Sequence, residues 1–233
     1  MKTTPRSLPA SLLLLTAATV AVQAQTVVYD NLSTTATAGY SQPNVDLPVF
    51  GDSLTLAQPG VLTWFSASLY NSTSGGNSGS ILTGTMEIKF YDNTVPYTGG
   101  AIANPLLATG IMPWDFTADG GLPAGYYATD EVDFSFLNVY LPQEVLVTQQ
   151  FTMTDGTSTR NGLTLFSDPV TGSSPDTVYI SSSTTPPDLY TFGGNPGQFG
   201  YRIEVVPEPT PYLAAGLLLG FAAWQSYRRP RSA

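Results

Sequence analysis

The stretch Gly84-Thr85-Met86-Glu87-Ile88-Lys89-Phe90-Tyr91-Asp92 alternates without a break. Met86, Ile88 and Phe90 fall on one side and Glu87, Lys89 and Tyr91 on the other, the period of two of a strand with one buried and one solvated face. It predicts a half-buried β-strand, and the same pattern recurs in both directions from it. Upstream, Thr26-Val27-Val28-Tyr29 reads as a first strand closed by Asp30-Asn31. Leu54-Thr55-Leu56 and the run Val61 to Tyr70 read as two more, joined across Gln58-Pro59-Gly60. Between Asn71 and Ser80 the composition falls to Ser, Gly and Asn, which predicts a mobile, unpacked loop.

Downstream, a turn-rich connection through Thr98-Gly99-Gly100 leads to short apolar runs at Leu106–Gly110 and Trp114-Asp115-Phe116. Further runs follow at Val132–Tyr140, Val145–Phe151, Leu163–Phe166, Thr177–Ile180, Leu189–Phe192 and Phe199–Val205. No helical period of 3.6 persists before the C-terminal segment, and no internal repeat suggests a propeller or solenoid. Roughly ten strands, mostly hairpin-connected, predict an all-β protein, an antiparallel β-sandwich of jelly-roll type.

Composition narrows the function classes. Of the 233 residues 11% are charged, and the formal net charge is −9. Between Gln25 and Val206 only Lys89, Arg160 and Arg202 are basic. Such a surface repels phosphate backbones, so nucleic-acid binding is not expected. The chain has no cysteine and no histidine. No disulfide braces the domain, and the commonest general base, the commonest metal ligand and every Ser-His or Cys-His pair are missing.

The ends carry address signals. A basic start, an apolar stretch from Leu8 to Val22 and the small-residue pattern Val22-Gln23-Ala24 predict a secretory signal peptide over 1–24, cleaved after Ala24. The segment 25–205 is then the β-rich ectodomain, and 206–233 a separate tail. In that tail Pro211 to Tyr227 would extend about 25 Å as a helix, slightly short of a bilayer's hydrocarbon core. Arg228, Arg229 and Arg231 beyond it place the tail end in the cytoplasm and the ectodomain outside.

Several motifs invite chemistry. Gly51-Asp52-Ser53-Leu54 spells a serine esterase signature, but the serine lacks a histidine to take its proton, and Gly51-Asp52 read instead as turn residues introducing a strand. Asp130-Glu131-Val132-Asp133, Asp115 with Asp119, and Asp52 are the acidic groupings that could meet Ca²⁺. They form no regular calcium loop and read as solvated carboxylates, so neither a metal nor a cofactor is expected. Trp64, Trp114, Tyr126, Tyr127, Tyr179 and Tyr190 are candidates for a sugar-stacking platform. Of these Trp64, like its neighbour Phe65, reads as core, Tyr126 and Tyr127 as exposed, and the favoured glycan-contact set is Trp114, Tyr126 and Tyr127. Asn31-Leu32-Ser33 and Asn71-Ser72-Thr73 match glycosylation sequons by pattern.

The order Val206-Pro207-Glu208-Pro209, a short Leu/Ala/Gly-rich segment, then Arg228-Arg229, in a chain with a signal peptide, resembles the PEP-CTERM sorting domain of Gram-negative bacteria. The resemblance covers Val206 to about Arg231. It implies export, transient inner-membrane anchoring by one short transmembrane helix, recognition of Pro207-Glu208-Pro209 by a membrane exosortase, and release toward the cell surface or exopolysaccharide matrix. More loosely, Val28-Tyr29-Asp30-Asn31, Phe50-Gly51-Asp52-Ser53-Leu54-Thr55-Leu56-Ala57, Phe90-Tyr91-Asp92 and Gly162-Leu163-Thr164-Leu165-Phe166-Ser167-Asp168-Pro169 resemble the ectodomains that accompany such tails. The expected function is a non-enzymatic surface or biofilm-matrix protein, with a carbohydrate-binding module or a carboxylate-based glycoside hydrolase as the alternatives.

Overall fold

The computed structural model describes residues 24–192 and 197–208. Among them are fourteen strands: β1 (Thr26–Asp30), β2 (Ala36–Pro43), β3 (Val49–Thr55), β4 (Gly60–Asn71), β5 (Ile81–Asp92), β6 (Leu106–Asp115) and β7 (Tyr127–Asp133). They continue as β8 (Tyr140–Leu141), β9 (Glu144–Gly156), β10 (Arg160–Phe166), β11 (Thr177–Ser181), β12 (Asp188–Thr191), β13 (Gln198–Phe199) and β14 (Tyr201–Val206). The chain is all-β, and residues Gln25–Val206 make one compact unit of two antiparallel sheets. The first sheet runs β1-β14-β4-β10-β13, with β2 on β10 and β7 and β8 on β4; the second runs β12-β11-β3-β9-β5-β6.

Among these strands only β5–β6 and β11–β12 pair with their neighbour in sequence. The expectation of mostly hairpin connections therefore fails. The turn at Gln58-Pro59-Gly60 carries the chain from β3 in one sheet to β4 in the other, and the turn at Pro142 does the same between β8 and β9. Alternation identifies the buried face of a strand but not the sheet it joins, because inner faces of both sheets look alike in sequence.

The strand predicted at Gly84–Asp92 is present as β5, and its inward side is Met86, Ile88 and Phe90, all fully buried. Phe90 meets Phe65 of β4 edge-on at 5.5 Å, and Phe134 closes the group at 6.3 Å from Phe90 and 6.1 Å from Phe65. Tyr201 of β14 joins at 5.6 Å from Phe65. Rings from both sheets thus interlock at the centre, and offset or edge-on contacts of this kind each add about 0.5–1.5 kcal/mol beyond the area buried.

Three expectations are corrected at the level of the fold. Leu106–Gly110 and Trp114-Asp115 are one strand, β6, which continues through Pro113 opposite Thr85. Because β6 is a sheet edge, a residue without an N–H is tolerated there. Gly51 and Asp52 lie inside β3, not in a turn before it. The segment after Asn71 is pinned. Asn71 is fully buried; its amide donates to the carbonyls of Gly79 (2.9 Å) and Leu122 (2.8 Å), and its Oδ1 accepts from Asn77 Nδ2 (3.0 Å) and Ser158 Oγ (2.8 Å). The low-complexity composition concealed a polar network in which every hydrogen-bonding site of Asn71 is used, and such a network orders backbone that apolar packing cannot.

Candidate functional site

The outward side of β5 builds the most differentiated surface on the second sheet. Pairing register aligns Lys89 (β5), Thr148 (β9), Gly51 (β3) and Tyr179 (β11) in one row across four strands. The adjacent row holds Glu87, Gln150 and Val49. Tall side chains at both ends and low ones in the middle leave a cleft of about 180 Å³. Gly51 is required at its floor, since a Cβ there would lie 2.7 Å from the Val147 carbonyl oxygen and 2.9 Å from Thr148 Cγ2.

The connection between β5 and β6 forms one wall. Asn93 Oδ1 accepts from the Tyr97 N–H (2.8 Å), and Asn104 Nδ2 donates to the carbonyls of Asp92 and Val95 (2.9 Å each). This fixes Tyr97 edge-on against Tyr179 at 5.6 Å and lays Ile102 beside Tyr91 over Leu146, a small apolar cluster on the outside of the sheet. Within the cleft Lys89 Nζ lies 2.5 Å from Glu87 Oε1, with both side chains a little over one-third exposed. The Glu87 hydrogen bond is the main cause that raises the Lys89 ammonium above its ordinary range, so the amine stays charged. Gln150 Nε2 donates to the Leu47 carbonyl (2.9 Å), which orients its amide.

Four carboxylates elsewhere serve a different purpose. β5, β6 and β7 end on Asp92, Asp115 and Asp133, and each accepts the backbone N–H of the residue two positions on, at 2.8 to 2.9 Å. Thr94 and Thr117 add their hydroxyls to the first two, at 2.7 and 2.6 Å. β1 ends similarly on Asp30, which accepts from the N–H (3.1 Å) and hydroxyl (2.6 Å) of Ser33. These Asx-type turns stop the strands and reverse the chain. The hydrogen bonds from Thr94, Thr117 and Ser135 hold the pKa values of Asp92, Asp115 and Asp133 below the usual carboxylate value. Among the described residues no three acidic groups converge as a metal set. The Asp-x-Thr/Ser spacing was visible in the sequence and is the signal that would have assigned these acids to turns.

Asp52 is the exception. It is fully buried, and among the described residues neither carboxylate oxygen has a hydrogen-bond partner of good geometry. Burial pushes its pKa well above the usual value; attraction from the Phe199 and Ser53 backbone N–H groups and the Ser174 hydroxyl pulls the other way and falls short. Tyr29 and Tyr201, both fully buried, are themselves pushed upward by burial and then by Asp52. Gln149 Nε2 donates to Tyr201 Oη (3.1 Å), leaving that hydroxyl's own proton free for an acceptor. The Gly51-Asp52-Ser53-Leu54 match lies within β3, and the sequence has no histidine to take the Ser53 proton.

The glycan-contact set is not assembled as expected. Trp114 is 2% exposed and lies inside the sandwich, because Gly110, Met112 and Trp114 form the inward side of β6. Tyr126 and Tyr127 are exposed, with Tyr127 edge-on to Phe166 at 6.1 Å. Trp64, read as core, is half-buried in β4 opposite Glu204 and Asp133, while Phe65 takes the core position. Asn31 and Asn71 of the two sequons are both fully buried, and Asn31 bridges the Phe199 carbonyl and the Tyr201 N–H, so neither presents its amide for modification.

Of the sorting-signal residues, Val206 is still paired with Val61 at the end of β14, Pro207 follows without an N–H to extend the ladder, and Glu208 is exposed. Pro209, Arg228, Arg229 and the apolar run Tyr212–Trp224 lie outside the described residues, as do 1–23 ahead of Ala24. No helix among the described residues is long and apolar enough to cross a membrane.

No family profile matches the chain, and no curated protein does. Among solved structures, a chain from "Structure of infectious bursal disease virus Gx strain" aligns at 10% identity over 83% of this chain with a TM-score of 0.21. This chain spans 42% of that one's length.

Proposed function

We propose that this chain is an exported, non-enzymatic β-sandwich of jelly-roll type, delivered by a PEP-CTERM-like tail to the surface or exopolysaccharide matrix of a Gram-negative bacterium. The observation that carries the reading is the order of signals in the sequence: a secretory start ending at Ala24, then the sandwich, then Val206-Pro207-Glu208-Pro209, an apolar run and Arg228-Arg229. An exosortase-type enzyme in the inner membrane is the processing partner and exopolysaccharide the setting. The jelly-roll assignment draws support from the way the chain passes repeatedly between the two sheets.

The non-enzymatic reading draws support from the roles of the acids. Asp30, Asp92, Asp115 and Asp133 are committed to turns, and Asp52 is sealed in the interior. A glycosidase needs two carboxyl groups facing one another across about 5 to 10 Å of open groove. Expression of the full chain and of Glu208→Gln in an exosortase-bearing host, followed by fractionation, tests the assignment. The variant is expected to stay in the membrane while the parent reaches the medium or surface, and unchanged release would overturn it.

A further inference from the structure

The cleft on the outer face of the second sheet matches a neutral sugar better than any other class of ligand. Its walls offer an aromatic surface, the half-buried Tyr91, next to a hydrogen-bonding pair, Lys89 and Glu87. That pair is neutral as a unit. After its internal contact the ammonium still has N–H donors to spare and the carboxylate still has acceptor positions. A vicinal diol, in which each hydroxyl both donates and accepts, is the complement of such a pair, and a pyranose ring adds an apolar C–H face suited to an aromatic neighbour. Gln150 and Thr148 line the same cleft.

Charge separates the candidates further. A polyanion meets a chain of net charge −9 in which Lys89 is already neutralised by Glu87. A lipid or apolar peptide would desolvate the Lys89–Glu87 pair without giving it a partner. A neutral polyol avoids both penalties. The site is also built: Gly51 keeps the floor open, and Asn93 and Asn104 hold the wall in place.

We propose that this cleft binds a neutral hexose or pentose unit of a polysaccharide, with Tyr91 beneath the ring and the Lys89–Glu87 pair bridging two adjacent hydroxyls. The inference deepens the extracellular-matrix reading and rests on it. It transfers the sugar contact from Trp114, Tyr126 and Tyr127 to a different face of the sandwich.

The test is calorimetric titration of the full-length chain with neutral oligosaccharides of gluco, manno, galacto and xylo configuration, alongside an oligouronate. Binding to at least one neutral series is expected, weakened about fivefold by Tyr91→Ala and about tenfold by Glu87→Gln. Glu87→Gln replaces a partly exposed carboxylate by its isostere, so its melting curve should match the parent and keep the result interpretable if Tyr91→Ala misfolds. Silence across the neutral panel, equal or tighter binding of the oligouronate, or binding indifferent to Glu87→Gln would each overturn the proposal. So would binding lost in Tyr126→Ala/Tyr127→Ala but not in Glu87→Gln. Fractionation of Glu208→Gln reads export and this titration reads the cleft, so either can fail while the other stands.

Discussion

The second sheet carries a carboxylate on each face and treats them in opposite ways. Glu87 on the outside keeps about one-third of its side chain in water and is held beside Lys89. Asp52 on the inside is fully buried, and two buried tyrosines stand near it. Outside, the anion is tolerated because solvent and a counter-charge share the work; inside, burial disfavours the anion and raises the pKa. A carboxylate is therefore a recognition group on one face and a buried core residue with a raised pKa on the other. Strand position alone separates them, since side chains at odd and even places in paired strands point apart.

The largest expected effect contrasts the two sides of β5 itself. Phe90→Ala removes a fully buried ring from the central aromatic group and should lower stability by about 3–5 kcal/mol, while Tyr91→Ala on the outer side should cost no more than about 1 kcal/mol. Chemical denaturation of both variants measures the difference, and equal losses would mean that the outer apolar cluster is as much a core as the inner one.

The second effect depends on pH. The folded-state pKa of Asp52 is raised, so its stabilising share is fully present below the unfolded value near 4 and is lost as pH rises toward the folded value. Within that window stability should fall by up to about 1.4 kcal/mol per pH unit for the one proton concerned. Asp52→Asn should abolish this slope, so that its melting temperature exceeds the parent's near neutrality and converges with it in acid. Asp92, Asp115 and Asp133 act with the opposite sign. Their pKa values are lowered, so their contribution is present above about pH 4 and disappears as pH falls. Parallel pH curves for parent and Asp52→Asn would show that Asp52 is ionised and partnered in solution.

The smallest effect lies on the outer face. Glu87→Gln should change stability by about 0.5 kcal/mol or less, as expected of a partly exposed pair, and by less still in high salt. A larger loss would make the pair structural and weaken its claim to be a ligand contact.

Much of this was legible in one dimension. The inward and outward sets of β5 followed from a period of two, and Glu87, Lys89 and Tyr91 were placed on a common side before any partner strand was known. The all-β class followed from short β-branched and aromatic runs separated by turn residues. Asp52 was not legible, because Gly-Asp is a strong turn signal and only its neighbours in β9 and β11 hold it in a strand. Trp114 was misplaced because Pro113 disguised a continuous edge strand. Asn71 was hidden because its partners Leu122 and Ser158 are far away in sequence.

By itself the sequence determined the class of fold, the face β5 would bury, and the lack of histidine and cysteine. These depend on residue identity and on periodicity along the chain, which are local quantities. Only the tertiary structure decided which sheet each strand joined, that Gly51 would open a cleft between Lys89 and Tyr179, and that Asp52 would be buried. Those outcomes depend on register and burial, and both are set by residues far apart in the chain.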